Sequence, residues 1–573
     1  MNVRVQAFFG AASAFLERSR RVRLIDVLLL AGIVATFFGL VRLGAEWTGA
    51  YRPAVEIDLS FGALPRYALL SLSRGLAAYV LSLLFTLGYG YWAAKDKAAE
   101  RILIPLLDIL QSIPVLGFMP GLVLALVAAF PRTNVGLELA AILLIFTGQA
   151  WNMTFSYYHS LRSIPPDLGE VGSVYQFGAW LRLRWIELPA AAIGLVWNSM
   201  MSMAGGWFFL MVSEAFVMGN HDFRLPGLGS YMSVAAAKGD RPAMLASVVA
   251  MVILIVLLDQ LLWRPVVVWA QKFRMEESGQ AEAMESWFYD LLRHSRLARW
   301  LGEVQERSFL RARRAPRKRA APGRAGRVAA VVLLVLLVGA LAWGAAQMIR
   351  LLAGVHAADW WRIVSAAALT LVRVLAAVAL GTLWTLPAGI AIGLSPRLSR
   401  ILQPVVQVVA SFPAPMLFPA VVLALKALGV SLGIGSVVLM LLGTQWYVLF
   451  NVVAGATSIP ADLREAASVF GMSRWQRFRN LYFPAVFTYL VTGWVTAAGG
   501  AWNASIVSEY MSFGGEVLTA RGLGSTITVA AADGDFPVLG AAVAVMALVV
   551  VSFNRLVWRR LHAFGEEHFT LSR

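Results

Sequence analysis

The side chains of this sequence that could do chemistry come in matched pairs. Glu214 and Glu509 each stand in an apolar run, and a Gly-Leu-Gly follows each of them (Gly227-Leu228-Gly229 and Gly522-Leu523-Gly524) at one common offset (509 − 214 = 295). A carboxylate held away from water either lines a path or pairs with another polar group. Both glutamates are therefore candidates for lining a central route. Asn198 and Asn503 raise the same question more weakly, because hydrogen bonds between helices explain buried amides equally well. A second set lies in polar segments: Asp167 and Glu170, repeated as Asp462 and Glu465 (465 − 170 = 295). Other enzymatic and binding signatures are missing from the sequence. It has no Gly-x-x-x-x-Gly-Lys-Ser/Thr phosphate loop, no His-Glu-x-x-His pair and no Gly-x-Ser-x-Gly elbow. The chain is thus not expected to bind ATP, to carry a cofactor or metal, or to act as an enzyme. Energy for any transport has to come from a partner or an ion gradient.

The segment carrying Glu465 reads as two short helices with a corner. Pro460 suits a first helical turn, and Asp462 and Glu465 favour its positive end. Gly471 accepts the left-handed conformation that stops a helix, and Ser473 with Gln476 matches a capping box for the next one. Pro484 then leads into an apolar stretch. Such an elbow, standing out of an apolar layer, can transmit force from a soluble partner. The segment carrying Glu170 differs: Gln176 replaces the corner glycine and Gly178 replaces the capping serine. The first elbow is therefore expected to be softer or differently bent than the second, unless Gly178 itself builds the corner.

Composition decides what holds these elements. With 59% hydrophobic and 14% charged residues in 573, the chain carries too few charges for a soluble domain of its length. Stretches of about 20 apolar residues cross a hydrocarbon core as helices, and continuous rather than alternating runs exclude a barrel. The chain reads as an all-α integral membrane protein of about 12 transmembrane helices. The first six spans lie roughly at 24–45, 67–93, 103–130, 136–158, 187–217 and 243–264. Six more lie roughly at 328–350, 364–394, 402–428, 432–456, 484–510 and 537–556. The boundaries are 1–270 for the first half, with its loop at 159–186, and 328–573 for the second, with its loop at 457–483. A basic linker, 271–327, joins them.

Net charge of +17 fits Lys/Arg retained on cytoplasmic loops better than nucleic acid, which is not expected as a partner. The Arg18–Arg23 cluster orients an uncleaved first span, and both termini come out cytoplasmic. An even number of spans per half makes the two six-helix repeats parallel. The chain lacks cysteine, which excludes disulfides but names no compartment.

Glu465-Ala466-Ala467, Gly471 and Pro484 resemble the EAA loop of binding-protein-dependent ABC importer permeases of type I. Thr370-Leu371, Arg373-Val374, Gly389, Gly393, Pro404 and Phe412-Pro413 are similar to its nitrate, taurine and sulfonate branch. The resemblance implies two permease units fused in one chain in a bacterial cytoplasmic membrane. It implies two ABC ATPase subunits, which bind the ATP, and an extracytoplasmic solute-binding protein. It assigns ATPase coupling to Asp167, Glu170, Gln176, Gly178, Asp462, Glu465, Ala466, Ala467 and Gly471. It also implies alternating access for a small anionic solute. The competing expectation is a gradient-driven carrier with two parallel repeats, which has no use for such elbows.

Overall fold

The computed structural model describes residues 56–175, 177–218, 221–273, 286–294, 324–513 and 515–569. The expected span at 24–45, the basic cluster Arg311–Arg319 and Gln176 lie outside the described residues. Two compact units are present. The larger gathers the described parts of 50–164, 197–256 and 322–573, and the smaller those of 165–196 and 257–321.

Helices run through the chain in one order, given twice. The first copy comprises α1 (Phe61–Lys95), the pair α2 (Lys97–Gln111) and α3 (Val115–Ala129), and α4 (Val135–Arg162). The short α5 (Pro166–Val174), α6 (Ala179–Glu214), α7 (Leu228–Lys238) and α8 (Arg241–Phe273) follow. After α9 (Trp287–His294) and α10 (Arg324–Leu352) the order repeats. The second copy is α11 (Ala357–Leu394), α12 (Pro396–Ser411), α13 (Ala414–Ala427) and α14 (Leu432–Thr457). It ends with α15 (Ala461–Val469), α16 (Arg474–Ser508), α17 (Leu523–Asp533) and α18 (Phe536–Phe569). The repeat reaches the irregularities of the backbone. The π-helical turns Leu183–Glu187 and Asp259–Trp263 recur at Phe478–Tyr482 and Asn554–Trp558 (478 − 183 = 554 − 259 = 295).

Among the described residues, eight helices are long and apolar enough to cross a membrane, or up to ten if each of two bent pairs counts as one span. The bent pairs correct the sequence reading, which took 103–130 and 402–428 as continuous spans. α2 and α3 meet at 83° and α12 and α13 at 80°. Proline explains both breaks. Pro114 and Pro413 push the preceding residue out of the helical region, and Ile113 (φ −83°, ψ 123°) and Phe412 (φ −72°, ψ 128°) are both extended. The all-α expectation also needs one amendment. Two antiparallel hairpins, β1 (Val217–Met218) with β2 (His221–Asp222) and β3 (Tyr510–Phe513) with β4 (Glu516–Thr519), follow α6 and α16.

In the larger unit one apolar core takes residues from both copies, Leu116 and Leu144 from the first and Leu490, Trp502 and Met546 from the second. Small residues allow the closest approaches. A Cβ at Gly229 would overlap the Met211 carbonyl, and one at Gly524 the Ser505 carbonyl, so backbone would have to move. Gly524→Ala is expected to cost about 1–3 kcal/mol, read as a lower unfolding midpoint of the detergent-solubilised chain. Gly499→Ala, where a Cβ meets nothing within 4 Å, is its silent control.

Candidate coupling elbows and central cleft

The second elbow is built as its residues dictate. Pro460 caps α15, whose first turn carries Asp462. Met472 N donates to Ala467 O at 3.1 Å and Gly471, with φ of +63°, turns the corner. Ser473 then caps α16, with Gln476 N donating to Ser473 Oγ (3.3 Å) and Ser473 N to Gln476 Oε1 (2.8 Å). Arg477 Nε donates to Met472 O at 2.9 Å and pins the corner from the second arm. Ala467 is buried in the angle, whereas Asp462, Glu465 and Gly471 face water.

The first elbow closes its corner with the same bond. Phe177 N donates to Gly172 O at 2.8 Å, the counterpart of the Met472–Ala467 bond (472 − 177 = 467 − 172 = 295). Gly178 is extended at φ −65°, ψ 164°, so it is the cap of the second arm and not a left-handed corner residue. Its lack of a side chain leaves that cap without the bond that Ser473 makes. Arg182, the counterpart of Arg477, reaches Glu187 at 3.3 Å instead of the corner. Asp167 and Glu170 are exposed, like their counterparts.

Both tips carry an apolar pair that the reading for charge and glycine overlooked. Val469 (85% exposed) and Phe470 (79%) match Val174 (77%) and Tyr175 (64%). The signal was available: two large apolar residues sit directly before each corner.

Within the larger unit an open cleft lies where α6 of the first copy meets α14, α16 and the α12–α13 bend of the second. Its wall is aromatic and amide: Phe208, Gln407, Trp446, Tyr447 and Asn503 all face it. Of the sequence candidates, only Asn503 lines the cleft. It also fastens the two copies, since Leu116 N donates to Asn503 Oδ1 at 3.3 Å, while Asn503 Nδ2 donates to Gly499 O at 3.1 Å. Asn198 lies three residues before Met201, which does line it, and is itself half-buried away from the lining.

The family model for the binding-protein-dependent transport system inner membrane component matches twice, at residues 86–262 and 385–562, together more than half of the chain. The chain belongs to that family. It is a multi-pass membrane permease component, duplicated within one chain, and not a catalytic subunit. Among curated relatives it is similar to the nitrate import permease of Synechocystis sp., at 29% identity over 22% of this chain and 43% of the relative. It is also similar to the taurine transport permease of Escherichia coli K12 (27%, over 34% of this chain and 68% of the relative). The bicarbonate transport permease of Synechococcus elongatus matches at 27% over 25% of this chain and 51% of the relative. The chain spans about half the length of the nitrate and bicarbonate permeases it matches.

In this permease the two matched glutamates are buried partners of arginine and do not line the cleft. Glu214 accepts from Arg74 Nη1 at 2.7 Å, from Ser71 Oγ at 2.8 Å and from Gly229 N at 2.9 Å. Glu509 accepts from Arg373 Nη1 at 2.7 Å, from Thr370 Oγ1 at 2.8 Å and from Gly524 N at 2.8 Å. Gly-Leu-Gly thereby finds its use. Its backbone opens a helix N-terminus onto the carboxylate, and a Cβ at Gly227 or Gly522 would overlap that carboxylate.

Around the arginine the copies differ most in charge at one position. Glu138 holds Arg74 through Nη2 at 2.7 Å, whereas Arg373 Nε donates to the carbonyl of Gly433, the residue at the equivalent position (433 − 138 = 295). Glu516 of β4, outside the spans, bonds Lys426 near the end of α13 at 2.7 Å, and the ammonium holds its carboxyl below the usual carboxylate range.

Proposed function

We propose that this chain is the whole membrane pathway of an ATP-driven importer. Two ABC ATPase subunits dock on α5 and α15, and an extracytoplasmic binding protein delivers the solute. The observation that carries the reading is the doubled elbow, with the same closing bond and the same exposed apolar pair at each tip. A gradient-driven carrier has no use for it.

In this reading the ten candidate spans are joined by one at 24–45 and by α10, giving twelve in two parallel sixes with both termini cytoplasmic. Residues 1–270 and 328–573 are the two permease halves, and 271–327 is the cytoplasmic linker. Asp167, Glu170, Gln176 and Gly178 with Asp462, Glu465, Ala466, Ala467 and Gly471 form the coupling segments. ATP binds on the partner subunits, whose closure draws the elbows together and rocks the bundles outward-open. The solute is a small anion, in keeping with relatives named for nitrate, taurine and bicarbonate transport.

The test is reconstitution of the full chain in proteoliposomes with its ATPase subunits and binding protein, and without them. Uptake is expected only with ATP and all partners. Uptake driven by an ion gradient, with no ATPase present, would overturn the reading.

A further inference from the structure

The two copies repeat their backbone, yet the cleft opens over the floor of one of them, with α6 of the other as its facing wall. Its floor is Gly443 and Thr444 of α14, with Gly500, Asn503 and Ala504 of α16 facing them. The equivalent positions in the first copy are Gly148 and Gln149 of α4, with Gly205, Phe208 and Phe209 of α6 (443 − 148 = 504 − 209 = 295). There the space is filled twice over. A Cβ at Gly148 would overlap the ring of Phe209, so that ring lies directly on the α4 backbone. Gln149 is fully buried against Gly206, where a Cβ would overlap its amide. In the second copy Ala504 replaces Phe209 and Thr444 replaces Gln149, and the groove stays open. A Cβ at Gly443 would meet only Ala414 Cβ, at 3.5 Å.

The fastening across the copies is one-sided as well. Leu116 N bonds Asn503 Oδ1, but the equivalent pair is Pro415 and Phe208, where one lacks the donor and the other the acceptor (415 − 116 = 299; 503 − 208 = 295). Both ends of the bond are missing together, as a site used on one side only requires.

The cleft wall holds no lysine, arginine, aspartate or glutamate. A dianion entering it would lose its hydration with no cation to replace it. The neutral groups of Gln407, Tyr447 and Asn503 can meet a solute that carries one charge or none, and Trp446 and Phe412 supply flat apolar surface beside them.

We infer that this permease holds its solute in a single cleft, floored by α14 and α16 of the second copy and walled by α6 of the first, which admits a small solute of at most one charge, while Phe209 and Gln149 fill the equivalent floor on α4. This rests on the importer reading for calling the occupant a transported solute. The geometry is testable without it.

The absence of cysteine makes the full chain its own labelling background. The probe is methanethiosulfonate ethylsulfonate, a small reagent with a single negative charge, applied to the purified chain in detergent. Gly443→Cys is expected to react readily, and adding Ala504→Phe, which copies the plug, should slow it at least tenfold. Gln149→Cys is expected to stay unreactive until Phe209→Ala is added. Size-exclusion profiles show whether each variant is folded. If a plugged variant fails to fold, Ala504→Leu on the Gly443→Cys chain gives the same reading at smaller volume. Equal labelling of Gly443→Cys and Gln149→Cys, or no change on filling position 504, overturns the inference. Neither outcome depends on an ATPase, so the importer reading stands or falls separately.

Discussion

Arg74→Met is expected to destabilise the chain by about 3–5 kcal/mol, far more than Arg373→Met. Arg74 has no exposed side-chain surface, and it answers two carboxylates that are themselves buried, Glu138 and Glu214. Removing it leaves both without a counter-charge where water cannot replace it. Arg373 is 13% exposed and answers one carboxylate, which keeps its bonds from Thr370 Oγ1 and Gly524 N when the arginine goes. Arg74→Lys should recover only part of the loss, because one ammonium cannot serve Glu138 through two nitrogens and Glu214 through a third. Glu138→Gly, which installs the second copy's residue, should cost less than Arg74→Met, because the Arg74–Glu214 pair survives. The measurement is thermal unfolding of the detergent-solubilised variants. A midpoint for Arg74→Met equal to the parent's would show that the buried cluster is not what holds α1, α4 and α6 together.

The same cluster shows how far the sequence could be read. Arg373 stood out among the residues of the family resemblance, and Glu214 and Glu509 as costly carboxylates. Their pairing was not legible, because 140 residues separate one partner pair and 136 the other, and nothing local links them. Two charges of opposite sign in apolar runs, each repeated once, were the available signal. The reading kept pairing as an alternative to a path but named no arginine as the partner. The duplication itself was fully legible, since Pro, Trp, Glu and Gly in fixed order cannot arise from apolar composition. The breaks at Pro114 and Pro413 were legible in principle, but hydropathy runs smoothly across them and hid the bend. The cleft was illegible for a different reason. It depends on whether position 504 or 209 carries alanine or phenylalanine, both of which count as apolar in any pattern.

Phe470→Asp and Tyr175→Asp are each expected to weaken ATPase binding by roughly 30-fold or more, the loss of a buried aromatic anchor of about 2 kcal/mol. A large apolar pair at a protruding tip is unfavourable in water unless a partner covers it, and each elbow carries one. Glutamine at position 176 had suggested a weaker first elbow. The corner bond Phe177–Gly172 matches Met472–Ala467, however, so the two tips are expected to lose comparable affinity. The inequality moves to the second arm. Ser473 caps α16, while Gly178 offers α6 no side chain. Ser473→Ala should therefore cost about 1 kcal/mol in that arm and lower transport more than affinity if, as proposed, the arm carries the motion and the tip makes the contact. Titration of purified ATPase subunits onto the chain, alongside ATP-driven uptake, separates the two effects. Unchanged binding after Phe470→Asp and Tyr175→Asp together would place the docking surface elsewhere. A tenfold difference between the single variants would return the asymmetry to the corner itself.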